Sequence, residues 1–142
     1  MDQFRQLENG MLIGPQPIEA DLRQAKLQGI KTVIGFRMPN ETPTPNSELV
    51  ARSGLEYVNI PVNKASPSPD QVDELDRVMR EKGGPFLIHC ATGARAAMLL
   101  VLSKARQSRW TAQRAFDEAR AMGFDLEKAP EFANFIKATA GR

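Results

Sequence analysis

Short β-branched apolar runs alternate along this chain with stripes of helical spacing, and that alternation leaves few architectures open. Thr32, Val33 and Ile34 form one run, Val58, Ile60 and Val62 another, and Phe86, Leu87 and Ile88 a third. Met11 to Ile13 predicts a short leading strand. Ile18, Leu22 and Ala25 recur at helical spacing, with Pro17 at the expected first helical position and Gly29 past the end. The stretch from Met38 to Asn46 is a proline-rich loop, after which Asn46 caps a short helix running to about Arg52. Ser68-Pro69-Asp70-Gln71 is a capping box, followed by Val72, Leu75, Val78 and Met79 on one stripe. Further helices are expected from Ala94 to Ala105, after Thr111, and around Phe132, Phe135 and Ile136. Strands alternating with helices imply an α/β fold, a mostly parallel sheet of four to five strands flanked by helices.

A length of 142 residues suits one domain, expected over residues 1–142. The single cysteine excludes an internal disulfide and fits a reducing compartment. MDQFRQLENG lacks the apolar core of a signal peptide. The longest apolar run, Ala96 to Leu102, is far short of the roughly 20 residues of a membrane span. A cytoplasmic protein without membrane contact is expected. The formal charge is only +2, and the basic residues after position 94 read as a solvated helical face. They are not interleaved with aromatics, which argues against nucleic-acid binding. With one His and one Cys, no metal cluster is expected, and no cofactor is called for.

In sheets of this kind ligands bind beyond the carboxyl ends of strands. Cys90 ends the most apolar strand, in the stretch Leu87-Ile88-His89-Cys90-Ala91-Thr92-Gly93-Ala94-Arg95-Ala96-Ala97. A tight turn containing Gly93 then enters a helix. Backbone N–H groups in that turn lack internal partners, and the helix dipole adds about half a positive charge. Arg95 contributes a planar fork of donors suited to a tetrahedral oxyanion. The same field favours thiolate over thiol, so one arrangement activates a nucleophile and binds the anion it attacks. A free cysteine is also an ordinary core filler, but its place before a glycine turn with Arg five positions on favours chemistry. Cys90 and Arg95 are therefore the candidate catalytic residues. Ala91, Thr92, Gly93, Ala94 and Ala96 form the candidate substrate-binding set.

His89-Cys90, Gly93 and Arg95 resemble the phosphate-binding loop of cysteine-dependent protein phosphatases. Gly14-Pro15-Gln16-Pro17, Lys31-Thr32-Val33-Ile34 with Phe36-Arg37, and Leu55 to Val62 extend the likeness over roughly residues 5–138. Together they are similar to the bacterial β-lactamase-hydrolase-like phosphatase family, formerly a domain of unknown function. That resemblance implies a dual-specificity-phosphatase-like fold, with Cys90 as nucleophile and Arg95 gripping phosphate. The implied partner is a phosphorylated small molecule or phosphoprotein, and the implied reaction is phosphomonoester hydrolysis, with phosphotyrosine one such ester.

Three features depart from longer-loop phosphatases. Four residues, Ala91 to Ala94, separate Cys90 from Arg95, as in the bacterial branch and in rhodanese sulfurtransferases, where those phosphatases have five. Ala96 stands where they carry Ser or Thr, and Thr92 is the nearest hydroxyl. The loop from Asn63 to Pro69, where they place an aspartic general acid, has no carboxylate; Asp70 lies just beyond and reads as a first-turn helix carboxylate. A sulfurtransferase carrying a persulfide on Cys90, or a non-catalytic module binding an oxyanion or phosphoprotein, are therefore competing readings. His89 is expected to point away from Cys90, holding the loop by hydrogen bonds or simply packing. Arg37 lies at the same sheet edge and is expected to pair with Glu41. Trp110 is expected to pack before the Thr111 cap, and the methionines to fill gaps.

Overall fold

The computed structural model describes residues 3–41 and 46–140, so residues 42–45 of the proline-rich loop lie outside the described residues. Five strands form one sheet: β1 (Arg5–Gln6), β2 (Leu12–Gly14), β3 (Thr32–Gly35), β4 (Glu56–Asn59) and β5 (Phe86–His89). Their spatial order is β1-β2-β5-β3-β4. β1 pairs antiparallel with β2, and the pairs β2–β5, β5–β3 and β3–β4 are parallel. The most apolar strand is thus central. Parallel strands need crossovers, and these are α1 (Glu19–Leu27), α2 (Asn46–Arg52) and α3 (Pro69–Glu81). Three helices follow β5: α4 (Ala94–Ser108), α5 (Ala112–Ala121) and α6 (Pro130–Thr139).

Strand alternation divides the core in two. Val33 and Leu87 face α1 and α2, where Leu22, Ala25 and Val50 complete one cluster. Ile34, Ile88 and Cys90 face the opposite way, against Val72, Leu75 and Val78 of α3 and the buried length of α4. Each fully buried aliphatic side chain contributes on the order of 1.5–3 kcal/mol. Every residue of the Ala96–Leu102 run is at most 1% exposed, so that stretch of α4 is buried on all sides. No helix among the described residues is long and apolar enough to cross a membrane.

Several expected boundaries move. Ile18 occupies the N-cap of α1, with its N–H donating to Asp21 at 3.0 Å, so Pro17 precedes the helix instead of opening it. Regular pairing of β4 ends at Asn59, although Ile60 and Val62 still donate to the carbonyls of Gly35 and Phe36. α4 continues to Ser108 and stops at Arg109, whose φ of 57° is left-handed. The capping box at Ser68 is formed. Trp110 packs against the larger cluster with the Arg114 guanidinium 4.8 Å from its ring centre. Lys104, Arg106, Arg114 and Arg120 are all engaged by carboxylates, as a solvated charged face requires.

Candidate active site

β5 delivers Cys90 to the carboxyl edge of the sheet, and Gly93 turns the chain into α4. The Gly93 φ is +103°, and a Cβ placed there would lie 2.6 Å from Phe124 Cζ, so both conformation and space demand glycine. Phe124, from the segment after α5, is thereby a wall of the turn. The Gly93 N–H donates to Cys90 Sγ at 3.0 Å, closing the turn around the sulfur. Thr92 is exposed, and its hydroxyl accepts from the Ala94 N–H at 3.3 Å. Two of the expected anion donors are thus engaged within the loop. The N–H groups of Ala91, Thr92, Arg95 and Ala96 have no partner among the described residues. Cys90 is 1% exposed and Arg95 3%, so the reactive atoms lie at the bottom of the site.

Arg95 is fixed from the far side. Its Nη1 donates to Glu41 Oε2 at 2.8 Å and to the Val62 carbonyl at 2.9 Å, and its Nη2 donates to Glu41 Oε1 at 2.7 Å. Glu41 is anchored in turn. It accepts from Arg37 Nε at 3.4 Å and from the Met38 N–H at 2.6 Å, and its carbonyl takes Arg37 Nη2 at 2.8 Å. Arg37 Nη1 donates onward to Gln16 at 3.1 Å, and Gln16 donates to Asn46 at 2.7 Å. The hydrogen bond from Arg95 holds the Glu41 carboxyl down to about 2, against partial burial that pushes the other way. The Glu41 bond raises Arg95 above the usual guanidinium value; burial opposes this, and the neighbouring Cys90 sulfur adds to it. The expected Arg37–Glu41 pair is present, but Glu41 also reaches Arg95, a contact that sequence reasoning missed.

His89 points to the sheet face opposite Cys90, as strand alternation requires. It is fully buried, and neither ring nitrogen has a hydrogen-bond partner among the described residues. Burial, with the Arg37 charge nearby, lowers its pKa to about 3. Of the two roles expected for it, packing is the one present. Gly35 sits directly beneath: a Cβ there would lie 2.6 Å from the Tyr57 hydroxyl and 2.9 Å from His89 Nε2. Asp70 is exposed in the first turn of α3, with its own N–H donating to Ser68 Oγ at 3.2 Å.

A buried thiol, four backbone amides without partners among the described residues and a clamped guanidinium are brought together in one turn, an arrangement chemically able to hold a tetrahedral oxyanion. The sequence profile of the family described as "Beta-lactamase hydrolase-like protein, phosphatase-like domain" matches residues 3–107. A beta-lactamase hydrolase-like protein of Agrobacterium fabrum is 31% identical over 121 residues, which cover 82% of this chain and 28% of that protein. The chain thus spans little more than a quarter of the relative. A candidate phosphatase from Neisseria meningitidis superposes with a TM-score of 0.79 at 23% identity, covering 98% of this chain and 99% of that one. The core catalytic domain of the PP-IP phosphatase SIW14 from S. cerevisiae gives 0.74 at 19% identity, over 95% of this chain and 83% of that one. The fold is thus the one shared by tyrosine and dual-specificity phosphatases, and the chain belongs to the phosphatase-like domain family of beta-lactamase hydrolase-like proteins.

Proposed function

We propose that this chain is a cysteine-dependent phosphatase that hydrolyses phosphomonoesters through a phosphocysteine intermediate. The Cys90 thiolate attacks phosphorus, an S–P bond forms, and the P–O bond to the leaving group breaks. The backbone amides of Ala91, Thr92, Arg95 and Ala96 and the Arg95 guanidinium stabilise the equatorial oxygens as charge builds on them. Water then attacks the phosphocysteine, releasing inorganic phosphate and returning the thiolate. The observation that carries this reading is the Glu41 clamp. It leaves Arg95 next to the Cys90 sulfur, in the same turn as four backbone N–H groups without partners among the described residues. Substrates are a phosphorylated small molecule or a phosphoprotein, and the cytoplasm, which keeps a lone thiol reduced, is the compartment that suits it.

Leaving-group protonation is the weak point of the machinery. Glu41 is ionised at neutral pH and committed to Arg95, so it cannot act as the acid. The Asn63–Pro69 loop offers no carboxylate. Loss of a general acid typically costs about 10²–10⁴-fold, least with leaving groups that depart as stable anions. The test is a parallel assay of p-nitrophenyl phosphate hydrolysis and thiosulfate-to-cyanide sulfur transfer on wild type and Cys90→Ser. Phosphate release that disappears in Cys90→Ser supports the proposal. Sulfur transfer without phosphate release identifies a sulfurtransferase, and neither activity with retained phosphate binding identifies a binding module.

A further inference from the structure

Three of the five N–H groups of the Arg95 guanidinium are occupied: both on Nη1, by Glu41 Oε2 and the Val62 carbonyl, and one on Nη2, by Glu41 Oε1. The Nε–H and the second Nη2–H remain. A planar guanidinium carries that pair side by side on one edge, matched to two oxygens of an anion. The direction of that edge is set by whatever holds the Glu41 carboxylate.

Arg37 holds it twice. Its Nε donates to Glu41 Oε1 at 3.4 Å and its Nη2 to the Glu41 carbonyl at 2.8 Å, so one group fixes both the side chain and the backbone of Glu41. The third nitrogen, Nη1, donates to Gln16 Oε1 at 3.1 Å. The Gln16 amide is oriented in turn, because its Nε2 donates to Asn46 Oδ1 at 2.7 Å and to the Pro17 carbonyl at 3.2 Å. The Arg37 backbone is tied as well: Asn59 Nδ2 donates to the carbonyls of Gly35 at 2.9 Å and Arg37 at 3.1 Å. Every nitrogen of the Arg37 guanidinium thus has a partner, and none of those partners lies in the Cys90–Ala96 turn.

We infer that Arg37, oriented by Gln16, is a positioning residue for oxyanion binding: it acts through Glu41 to set the Arg95 edge that meets the anion. The inference rests on the oxyanion site of the proposed phosphatase and names a residue outside that site on which it depends. Two cations around one partly buried carboxylate stabilise a fold no better than apolar packing of similar volume, so stability alone does not account for the cluster. What the cluster supplies is a single orientation for each of its three side chains. Misplacement of a catalytic group by about 1 Å can cost on the order of 10²-fold in rate, so a residue two contacts from the anion is within reach of the chemistry.

Calorimetric titration of the full chain with inorganic phosphate tests this, with urea denaturation of each variant alongside. Arg37→Met should weaken phosphate binding by about tenfold, within the range for side chains coupled in one hydrogen-bond network. Arg37→Lys keeps the charge but not the planar fork, and should not restore the affinity. Gln16→Leu, which leaves Arg37 and Glu41 in place, should weaken binding by about two- to threefold, and Gln16→Glu, which keeps the acceptor, should recover most of it. In a Glu41→Ala background, the further change Arg37→Met should cost less than about twofold, because the contact through which it acts is gone. Arg106→Met removes an ion pair between α3 and α4, and should lower stability with phosphate affinity unchanged. Undiminished affinity in a folded Arg37→Met, rescue by Arg37→Lys, or a tenfold loss that persists without Glu41 would each overturn the inference and leave the phosphatase reading in place. Should Arg37→Met not fold, undiminished affinity in Gln16→Leu overturns it equally. A wild-type chain that binds no phosphate removes the oxyanion site, and this inference with it.

Discussion

Glu41 and Arg95, 54 residues apart in sequence, meet in a two-toothed ion pair at 2.7 and 2.8 Å that fixes the guanidinium at the start of α4. Arg37 and the Met38 N–H hold the carboxylate in turn. The position of Arg95 is therefore set by a loop outside the Cys90–Arg95 turn.

Replacing Glu41 with Gln removes one charge from a cluster of three and leaves Arg37 and Arg95 facing each other without compensation. Stability should fall by about 1.5–3 kcal/mol, the range for hydrogen bonds to charged groups, and urea denaturation measures it. Since the folded carboxyl titrates near 2 and the ordinary value is 4.5, the pair's contribution is complete above pH 4.5 and lost as pH falls towards 2. Wild type and Glu41→Gln should therefore converge in stability on acidification through that window. A constant difference down to pH 2 would show that the ion pair is not the source.

His89 gives a second and separable pH effect. Its pKa falls from 6.5 to about 3 on folding, so below pH 6.5 the unfolded chain binds a proton that the folded chain refuses. Stability is therefore full above pH 6.5 and declines as pH drops from there towards 3. His89→Phe should flatten that decline when denaturant midpoints are followed against pH. An unchanged slope would assign the effect to other groups.

Gly93→Ala should damage the site twice over. The substitution forces a side chain into a left-handed backbone and into the ring of Phe124. Stability should drop by about 1–3 kcal/mol from the strained backbone, with loss of oxyanion binding. Adding Phe124→Ala relieves only the contact, so the double variant should regain part of the stability and little of the binding. Full recovery in the double variant would mean that the ring contact alone requires glycine.

The strand and helix pattern was legible because it depends on local spacing: each of the apolar runs at Val33, Val58 and Leu87, and the capping box at Ser68, involves residues only a few positions apart. β1 was not legible. Its two residues, Arg5 and Gln6, are exposed and carry no apolar period, and they become a strand only because β2 offers an edge. The place of Cys90 at a sheet edge and the need for Gly93 followed from the order of strand, turn and helix. The Glu41–Arg95 contact did not, since nothing local distinguishes Glu41 from any loop carboxylate. Phe124 was hidden in the same way, as an aromatic after a helix end whose neighbour Gly93 is 31 residues earlier.

Asp70 is exposed and seated in a cap, so Asp70→Asn should change turnover little on either p-nitrophenyl phosphate or phosphoserine. The rate across esters should instead fall steeply as the leaving-group pKa rises. A loss of about 10²–10⁴-fold confined to poor leaving groups in Asp70→Asn would make that residue the general acid.

The central claim is that Cys90 becomes covalently phosphorylated, and rapid acid quenching followed by intact-protein and peptide mass spectrometry tests it most directly. Wild type mixed with p-nitrophenyl phosphate should show one added phosphoryl group, located on the peptide containing Cys90 and absent from Cys90→Ser. Hydrolysis that persists in Cys90→Ser, with no phosphorylated cysteine trapped in wild type, would contradict the account.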